Sequence, residues 1–161
     1  MMYTEDKIHA LFCIAKGAKL LAPKVMFNAD TSKLQLVCNG IGAEWLSERS
    51  RKILSKLLYY AEATAMIHDW EYHHSNGSEE TRLGVDEMFL VNGLREVRYR
   101  YPQWWNPKRW LGERAVLVAH EVLSRTGGVA WNDAFAERVK EKIKDMGLTT
   151  TEFFYLEREN V

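Results

Sequence analysis

The stretch "AEATAMIHDWEYHHSNGSEETRLGVDEMFLVNGL" (residues 61–94) contains two helical patterns joined by a short polar turn. On each side of the turn, residues of one face recur every three or four positions, which is the repeat of an α-helix. The first helix is predicted to begin at residue 47 or 48 and the second near residue 78. The core-facing positions are Leu54, Leu58, Ala61, Ala65, His68 and Tyr72 in the first helix, and Leu83, Asp86, Leu90, Leu94 and Val97 in the second.

Three polar residues fall on these core-facing positions, namely His68, Tyr72 and Asp86. A buried carboxylate is costly unless it is paired or hydrogen-bonded. If the two helices pack antiparallel across the turn, Asp86 meets His68, fixes its tautomer and stabilises its protonated form. That arrangement suits general-base catalysis, but a His–Asp pair between two packed helices is also often only a buried structural contact. Asp69 lies about 100° around the helix from His68. It offers a second carboxylate, which a hard cation such as calcium would accept as a ligand.

The N-terminal part of the chain is predicted to combine one helix with a small β-hairpin. Residues 4–16 carry apolar side chains at helical spacing. The segment "KVMFNADTSKLQLVCN" (24–39) resembles two short strands around a turn at residues 28–32.

The C-terminal part is predicted to add two helices. One covers residues 111–125 and ends at Gly127–Gly128, and the other covers residues 133–146 with Gly147 as its C-cap. The expected fold is therefore mainly α, a compact single helical domain spanning 1–161, with about five helices and a small N-terminal β-hairpin.

Composition narrows the function classes. The chain has 161 residues, 47% hydrophobic and 27% charged, with a net charge of zero, which is typical of a folded globular protein. The neutral balance argues against a surface that coats nucleic acid. The sequence contains no apolar run long enough to predict a membrane span, and its N-terminus does not have the pattern of a signal peptide. Cys13 and Cys38 form no CxxC motif, which favours two reduced thiols.

Two motifs resemble the catalytic helix pair of the secreted and viral phospholipases A₂. His68, Asp69 and Tyr72 match the His-Asp-x-x-Tyr of that family, and Asp86 with Phe89 matches its Asp-x-x-Phe. The resemblance implies a hydrolase acting on lipid esters. His68 would be the base for an attacking water, Asp86 would orient it, and Tyr72 would support the pair with a hydrogen bond.

The same resemblance implies calcium as a cofactor. A glycine-rich loop precedes the catalytic helix in these phospholipases, and "NGIGAEW" (39–45) is its counterpart here. Asp69 would bind the ion together with loop carbonyls at Gly40 and Gly42. The distance in sequence from Gly42 to His68 is longer than expected for a loop that leads directly into the catalytic helix.

A longer resemblance, over roughly residues 34–131, is to a phage- and prophage-encoded protein family. The segments "EATAMIHDWEY" (62–72), "GVDEMFLVNGLREV" (84–97) and "VLVAHEVLSRTGGVAW" (116–131) occur in that family's order. The resemblance implies a phage-derived protein, cytoplasmic in a bacterial host or associated with the phage particle. It is also compatible with a non-enzymatic accessory or structural protein that uses the His–Asp pair as a core contact.

Two further patterns have other interpretations. His120 could join His68 and Asp69 around one metal, as in a metal-dependent phosphohydrolase. The segment "REVRYRYPQWWNPKRW" (95–110) has five basic and five aromatic residues. It suits a phospholipid surface contacted by tryptophans, single-stranded nucleic acid, or a connector whose tryptophans cap the core. The tryptophans concerned are Trp104, Trp105 and Trp110.

Overall fold

A computed structural model describes residues 3–38, 48–145 and 147 of the chain, and it is mainly helical. The described residues form six helices and no strand. The helices are α1 (Glu5–Gly17), α2 (Lys24–Phe27), α3 (Thr31–Val37), α4 (Glu48–His73), α5 (Glu79–Arg100) and α6 (Pro107–Asp145). Within this part of the chain, no helix is long and apolar enough to cross a lipid bilayer.

Helix α4 is packed on two sides. One side contacts α5 and α6 through a core that includes Ala61, Phe89 and Val116. The other side contacts the N-terminal helices through a core that includes Leu11 and Met66. Burial on both sides leaves α4 with little exposed surface from residue 61 to residue 72, which is where the candidate site lies.

The predicted β-hairpin at residues 24–39 is wrong, because α2 and α3 occupy that segment. Met26 and Leu34 are buried, whereas Val25 and Leu36 are exposed. A strand pair this short would leave unpaired backbone groups along both edges, whereas helical turns satisfy them locally. The short alternation of apolar and polar residues therefore arises from one buried side chain on each of two small helices.

The predicted helix end at Gly127–Gly128 is also wrong, because α6 continues through both glycines to Asp145. Gly127 is buried, and a Cβ at this position would overlap the hydroxyl of Tyr72. Its role is to let α6 approach α4 closely. The predicted C-terminal glycine does follow the helix, since Gly147 has a φ of 63° and its N–H bonds to the carbonyl of Lys144.

Helix α4 is broken at Ala61, whose φ of −144° and ψ of 52° are not helical. The carboxylate of Glu96 on α5 accepts hydrogen bonds from the backbone N–H groups of Ala63 (3.2 Å) and Thr64 (2.8 Å). A side chain of another helix thus caps the restarted half of α4, in the way that an N-cap residue normally does. Arg100 neutralises Glu96 at 2.7 Å. This cap orients the half of α4 that carries His68.

Candidate functional site

The structure brings together the three polar residues predicted on the facing helices. Nε2 of His68 lies 3.1 Å from Oδ1 of Asp86. The hydroxyl of Tyr72 donates to the same oxygen at 2.8 Å. His68 is 7% exposed and Asp86 is 1% exposed, so the cluster is enclosed.

The short turn between α4 and α5 sets this alignment. Gly77 has a φ of 73°, which favours glycine, and the N–H of Ser78 bonds to the side chain of Asn76. Ser78 is the N-cap of α5, with its hydroxyl accepting from the N–H of Thr81. Because the turn is so short, α5 folds back along α4. His68 lies five residues before the end of α4 and Asp86 seven residues after the start of α5, so the two side chains meet.

The hydrogen bond determines the tautomer of His68. An ionised carboxylate is only an acceptor, so the Nε2 that faces Asp86 must carry a proton. In the neutral ring the lone pair is then on Nδ1, which is the nitrogen that can accept a proton. The ring is held by two aromatic neighbours, Tyr72 at 4.2 Å and Phe89 at 5.1 Å between centroids. The arrangement can therefore orient the imidazole and stabilise it when it takes up a proton.

Arg82 completes the environment of Asp86, and the sequence analysis missed it. Its Nη1 lies 2.7 Å from the second carboxylate oxygen of Asp86. Asp86 thus faces three donors, from His68, Tyr72 and Arg82. Arg82 precedes Asp86 by four residues on the same helix, and this i,i+4 spacing is the signal that could have revealed the pair.

Neighbouring groups shift the pKa values of Tyr72, Arg82 and Glu79. Burial, together with the nearby charge of Asp86, raises the pKa of Tyr72, so its hydroxyl stays protonated and remains a donor. A hydrogen bond to Glu79 is the largest influence on Arg82 and raises its pKa. The same hydrogen bond lowers the pKa of Glu79, which lies on the surface. Arg82 therefore connects the buried carboxylate to an exposed one.

Helix α6 forms the wall behind Tyr72. The ring of Trp131, which is buried, packs edge-on against Tyr72 with 5.1 Å between centroids. The guanidinium of Arg82 approaches the backbone carbonyl of Ser124 at 3.4 Å. The close approach at Gly127 belongs to the same wall. Residues from α4, α5 and α6 thus enclose one polar cluster in a largely apolar setting.

Asp69 lies apart from this cluster, on the side of α4 that faces the N-terminal helices. Its charge contributes to the raised pKa values of Tyr3 and Cys38, for which burial is the larger cause. The thiol of Cys38 donates to the carbonyl of Met66 at 3.4 Å. Cys38 is the last described residue before the predicted calcium loop. Gly40 and Gly42, the other predicted calcium ligands, lie outside the described residues.

His120 on α6 was predicted to join His68 and Asp69 around a metal, but its observed contacts are with other residues. Its Nε2 lies 3.7 Å from a carboxylate oxygen of Glu87 and 3.4 Å from the hydroxyl of Ser124. Among the residues that the structure describes, no group of three or more His, Cys, Asp or Glu side chains is placed to hold a metal ion. That search includes His68, Asp69 and His120, the three residues predicted to join around one metal.

Comparisons of the chain with models of known protein families, with curated proteins and with solved structures give no match. The resemblances to the phospholipases A₂ and to the phage family therefore rest on the motifs themselves. The geometry around Asp86 is an independent observation.

Proposed function

We propose that the protein is a phage-derived hydrolase of lipid esters, with a His–Asp site of the phospholipase A₂ type. The observation that carries the proposal is the enclosed carboxylate of Asp86, which accepts a hydrogen bond from Nε2 of His68. Arg82 neutralises this carboxylate, and Tyr72 donates a further hydrogen bond to it. Such a carboxylate orients a histidine as a general base. The lipid-ester substrate is inferred from the matching motifs around His68 and Asp86.

In the proposed reaction, Nδ1 of His68 takes a proton from a water molecule as the water oxygen attacks the ester carbonyl. Asp86 stabilises the imidazolium that forms, as it does in other His–carboxylate pairs. When the carbonyl re-forms, the bond to the alcohol oxygen breaks, and His68 returns its proton to that oxygen. The products are a fatty acid and an alcohol, and His68 is restored to its neutral form. Tyr72 and Arg82 act as positioning residues, since both contact Asp86.

A calcium ion is a separable part of the proposal. Its role would be to stabilise the negative charge that develops on the carbonyl oxygen. Carboxylate oxygens are ligands that calcium prefers, and Asp69 supplies a partly buried carboxylate whose charge acts on Cys38. Asp69 would hold the ion, and the predicted backbone ligands are those of Gly40 and Gly42.

The test is hydrolysis of mixed phospholipid vesicles, with calcium or with chelator, by the wild type and by His68→Ala. The matched control is His73→Ala, because His73 is an exposed histidine on the same helix. We expect fatty-acid release by the wild type and by the His73 variant, and loss of release in the His68 variant. Circular dichroism and thermal melting show whether each variant is folded. Release that is unchanged in a folded His68 variant would refute the assigned base.

A second candidate, a non-enzymatic phage accessory protein, is supported by the enclosure of the cluster. A histidine that is 7% exposed and a carboxylate that is 1% exposed are also what a structural contact would show. Under this alternative the wild type releases no fatty acid from any vesicle, and His68→Ala only lowers the melting temperature. On either candidate, we propose a location in the bacterial host cytoplasm or in the phage particle, on the strength of the motif order alone.

A further inference from the structure

Three tryptophans lie on the surface where α5 leads into α6, Trp104 and Trp105 between the two helices and Trp110 in the first turn of α6. Trp104, Trp105 and Trp110 are 68%, 66% and 63% exposed, and Leu111 beside them is also exposed. The prediction of a connector whose tryptophans cap the core is therefore wrong for these three. At roughly 150–250 Å² per aromatic side chain, they present on the order of 300–500 Å² of surface. Apolar patches of this size on a monomer are often functional.

This aromatic turn, residues 101–111, is held in shape by its own hydrogen bonds. The indole N–H of Trp110 donates to the backbone carbonyl of Trp104 at 2.7 Å. Arg109 donates to the carbonyl of Pro102 at 3.1 Å. Because the polar group of Trp110 is satisfied inside the turn, its ring presents mainly apolar surface to the outside. The exposure is thus a feature of an ordered turn.

Positive charge surrounds the aromatic turn. Residues 95–114 contain six basic and two acidic residues, a net charge of +4 in a chain whose total is zero. The two acidic residues are occupied, since Glu96 is buried against Arg100 and Glu113 pairs with two arginines. Lys108 and Arg114 are exposed and form no ion pair with any described residue. The turn therefore combines apolar rings with available cations.

We propose that the aromatic turn docks the protein on the surface of an anionic phospholipid bilayer. Tryptophan is favoured at the level of lipid headgroups, where its ring is partly in the apolar region, and basic side chains bind anionic headgroups. The apolar surface continues along α6 through Leu111, Leu117 and Val118, which are exposed. Aliphatic side chains can enter a bilayer but offer no face on which a nucleotide base can stack, so a membrane is favoured over single-stranded nucleic acid.

Docking at this end of the bundle is separate from the proposed catalysis. Fourteen residues of α5 separate Asp86 from Arg100, which corresponds to about 21 Å along the helix. The docking inference therefore does not rest on the hydrolase proposal, and each can fail alone. None of the residues of the aromatic turn belongs to the His–Asp cluster, so the role we assign to this face is to localise the protein.

The experiment is sedimentation of the protein with vesicles of phosphatidylcholine alone or with about one-third phosphatidylglycerol, a fraction chosen to give an anionic surface. Binding is measured with the wild type, and fatty-acid release is followed in parallel so that any hydrolysis of the vesicles is detected. We expect binding to the anionic vesicles that weakens with added salt. The variant with Trp104→Ala, Trp105→Ala and Trp110→Ala should bind about ten-fold or more weakly, because apolar burial and charge both contribute. Because these side chains are exposed, the variant is expected to fold.

Two controls separate the contributions. Leu36→Ser removes an apolar side chain that is 79% exposed on α3, and it should leave binding unchanged. Lys108→Glu with Arg114→Glu should reduce binding to anionic vesicles only. Equal binding by the tryptophan variant and its parent would overturn the proposal, as would absence of binding to both vesicles. Binding to an oligonucleotide without vesicle binding, or a dimer that the tryptophan variant dissociates, would assign the face to another partner and also overturn it.

Discussion

Gly127→Ala tests whether α6 really packs against the polar cluster, and the adjacent Gly128→Ala is its matched control. Both glycines lie inside the same continuous helix. A Cβ at position 127 would overlap the Tyr72 hydroxyl and lie 3.5 Å from a guanidinium nitrogen of Arg82. A Cβ at position 128 has its nearest neighbour at 4.0 Å, which is an ordinary contact. The two substitutions therefore differ only in what the new methyl group meets.

The magnitudes follow from three contributions. Alanine in a helix interior is favoured over glycine by about 1 kcal/mol, and this applies to both positions. At position 127, overpacking costs about 1–3 kcal/mol. Displacing the Tyr72 hydroxyl from Asp86 also removes a hydrogen bond to a charged group, worth about 1.5–3 kcal/mol. We expect Gly127→Ala to lose about 2–4 kcal/mol of unfolding free energy and Gly128→Ala to gain up to about 1 kcal/mol.

The assay is urea unfolding of both variants and the wild type, followed by circular dichroism. In a protein of this size, 1 kcal/mol corresponds to about 2–4 °C in melting temperature, so thermal melts should rank the variants identically. Tyr72→Phe in the Gly127→Ala background removes the obstructing hydroxyl and should recover part of the loss. Equal stability of the two alanine variants would refute the close approach of α6, and with it the enclosed site as described.

Three other measurements follow from the same structure. Glu96→Ala should cost about 3–5 kcal/mol in urea unfolding, because it leaves two buried backbone N–H groups of α4 and the Thr64 hydroxyl without their acceptor. Thr64→Val removes only the hydroxyl and should cost about 1 kcal/mol, and equal losses would contradict the capping role. Arg82→Met should also cost about 3–5 kcal/mol, because it leaves a buried carboxylate without its cation, and a loss below about 1 kcal/mol would contradict that dependence. In the folded protein, a thiol reagent should modify Cys13 but not Cys38, because Cys38 is buried and burial raises the pKa of its thiol. In denaturant the reagent should modify both cysteines. Fast reaction of both cysteines in the folded protein would contradict the packing of α3 on α4.

The helical repeat was sufficient to predict α4, α5 and the meeting of His68 with Asp86. It failed on the exact buried face of α5, where Leu83 is 47% exposed and Arg82 beside it is buried. Hydropathy assigns the leucine inward and the arginine outward, yet the arginine is drawn in by a carboxylate on its own helix. A pattern of apolar residues cannot report a burial that is caused by a charge.

The predicted helix end at Gly127 and the missed break at Ala61 are both explained by tertiary contacts. Gly127 was interpreted as a helix end because glycine is a poor helix former. In the structure, glycine is needed there because a Cβ would overlap the hydroxyl of Tyr72. The break at Ala61 has no local signal, since alanine is the best helix former. It is stabilised by Glu96, which is 35 residues further along the chain. Short-range preferences are overridden wherever a distant side chain satisfies or obstructs the backbone.

Helix α5 carries four buried polar residues, Arg82, Asp86, Asn92 and Glu96. The three acceptors among them, Asp86, Asn92 and Glu96, have partners of different kinds. Asn92 pairs with the backbone N–H and carbonyl of Leu21, both at 2.7 Å, and Glu96 caps backbone N–H groups of α4. Such groups must be satisfied in any sequence with this fold. Asp86 instead contacts only side chains, those of His68, Tyr72 and Arg82. Well-packed apolar residues in place of a buried charged cluster are often neutral or stabilising. The fold therefore requires Asn92 and Glu96 for its backbone, but it has no equivalent need for Asp86 and the three side chains around it. This difference favours a chemical role for that cluster.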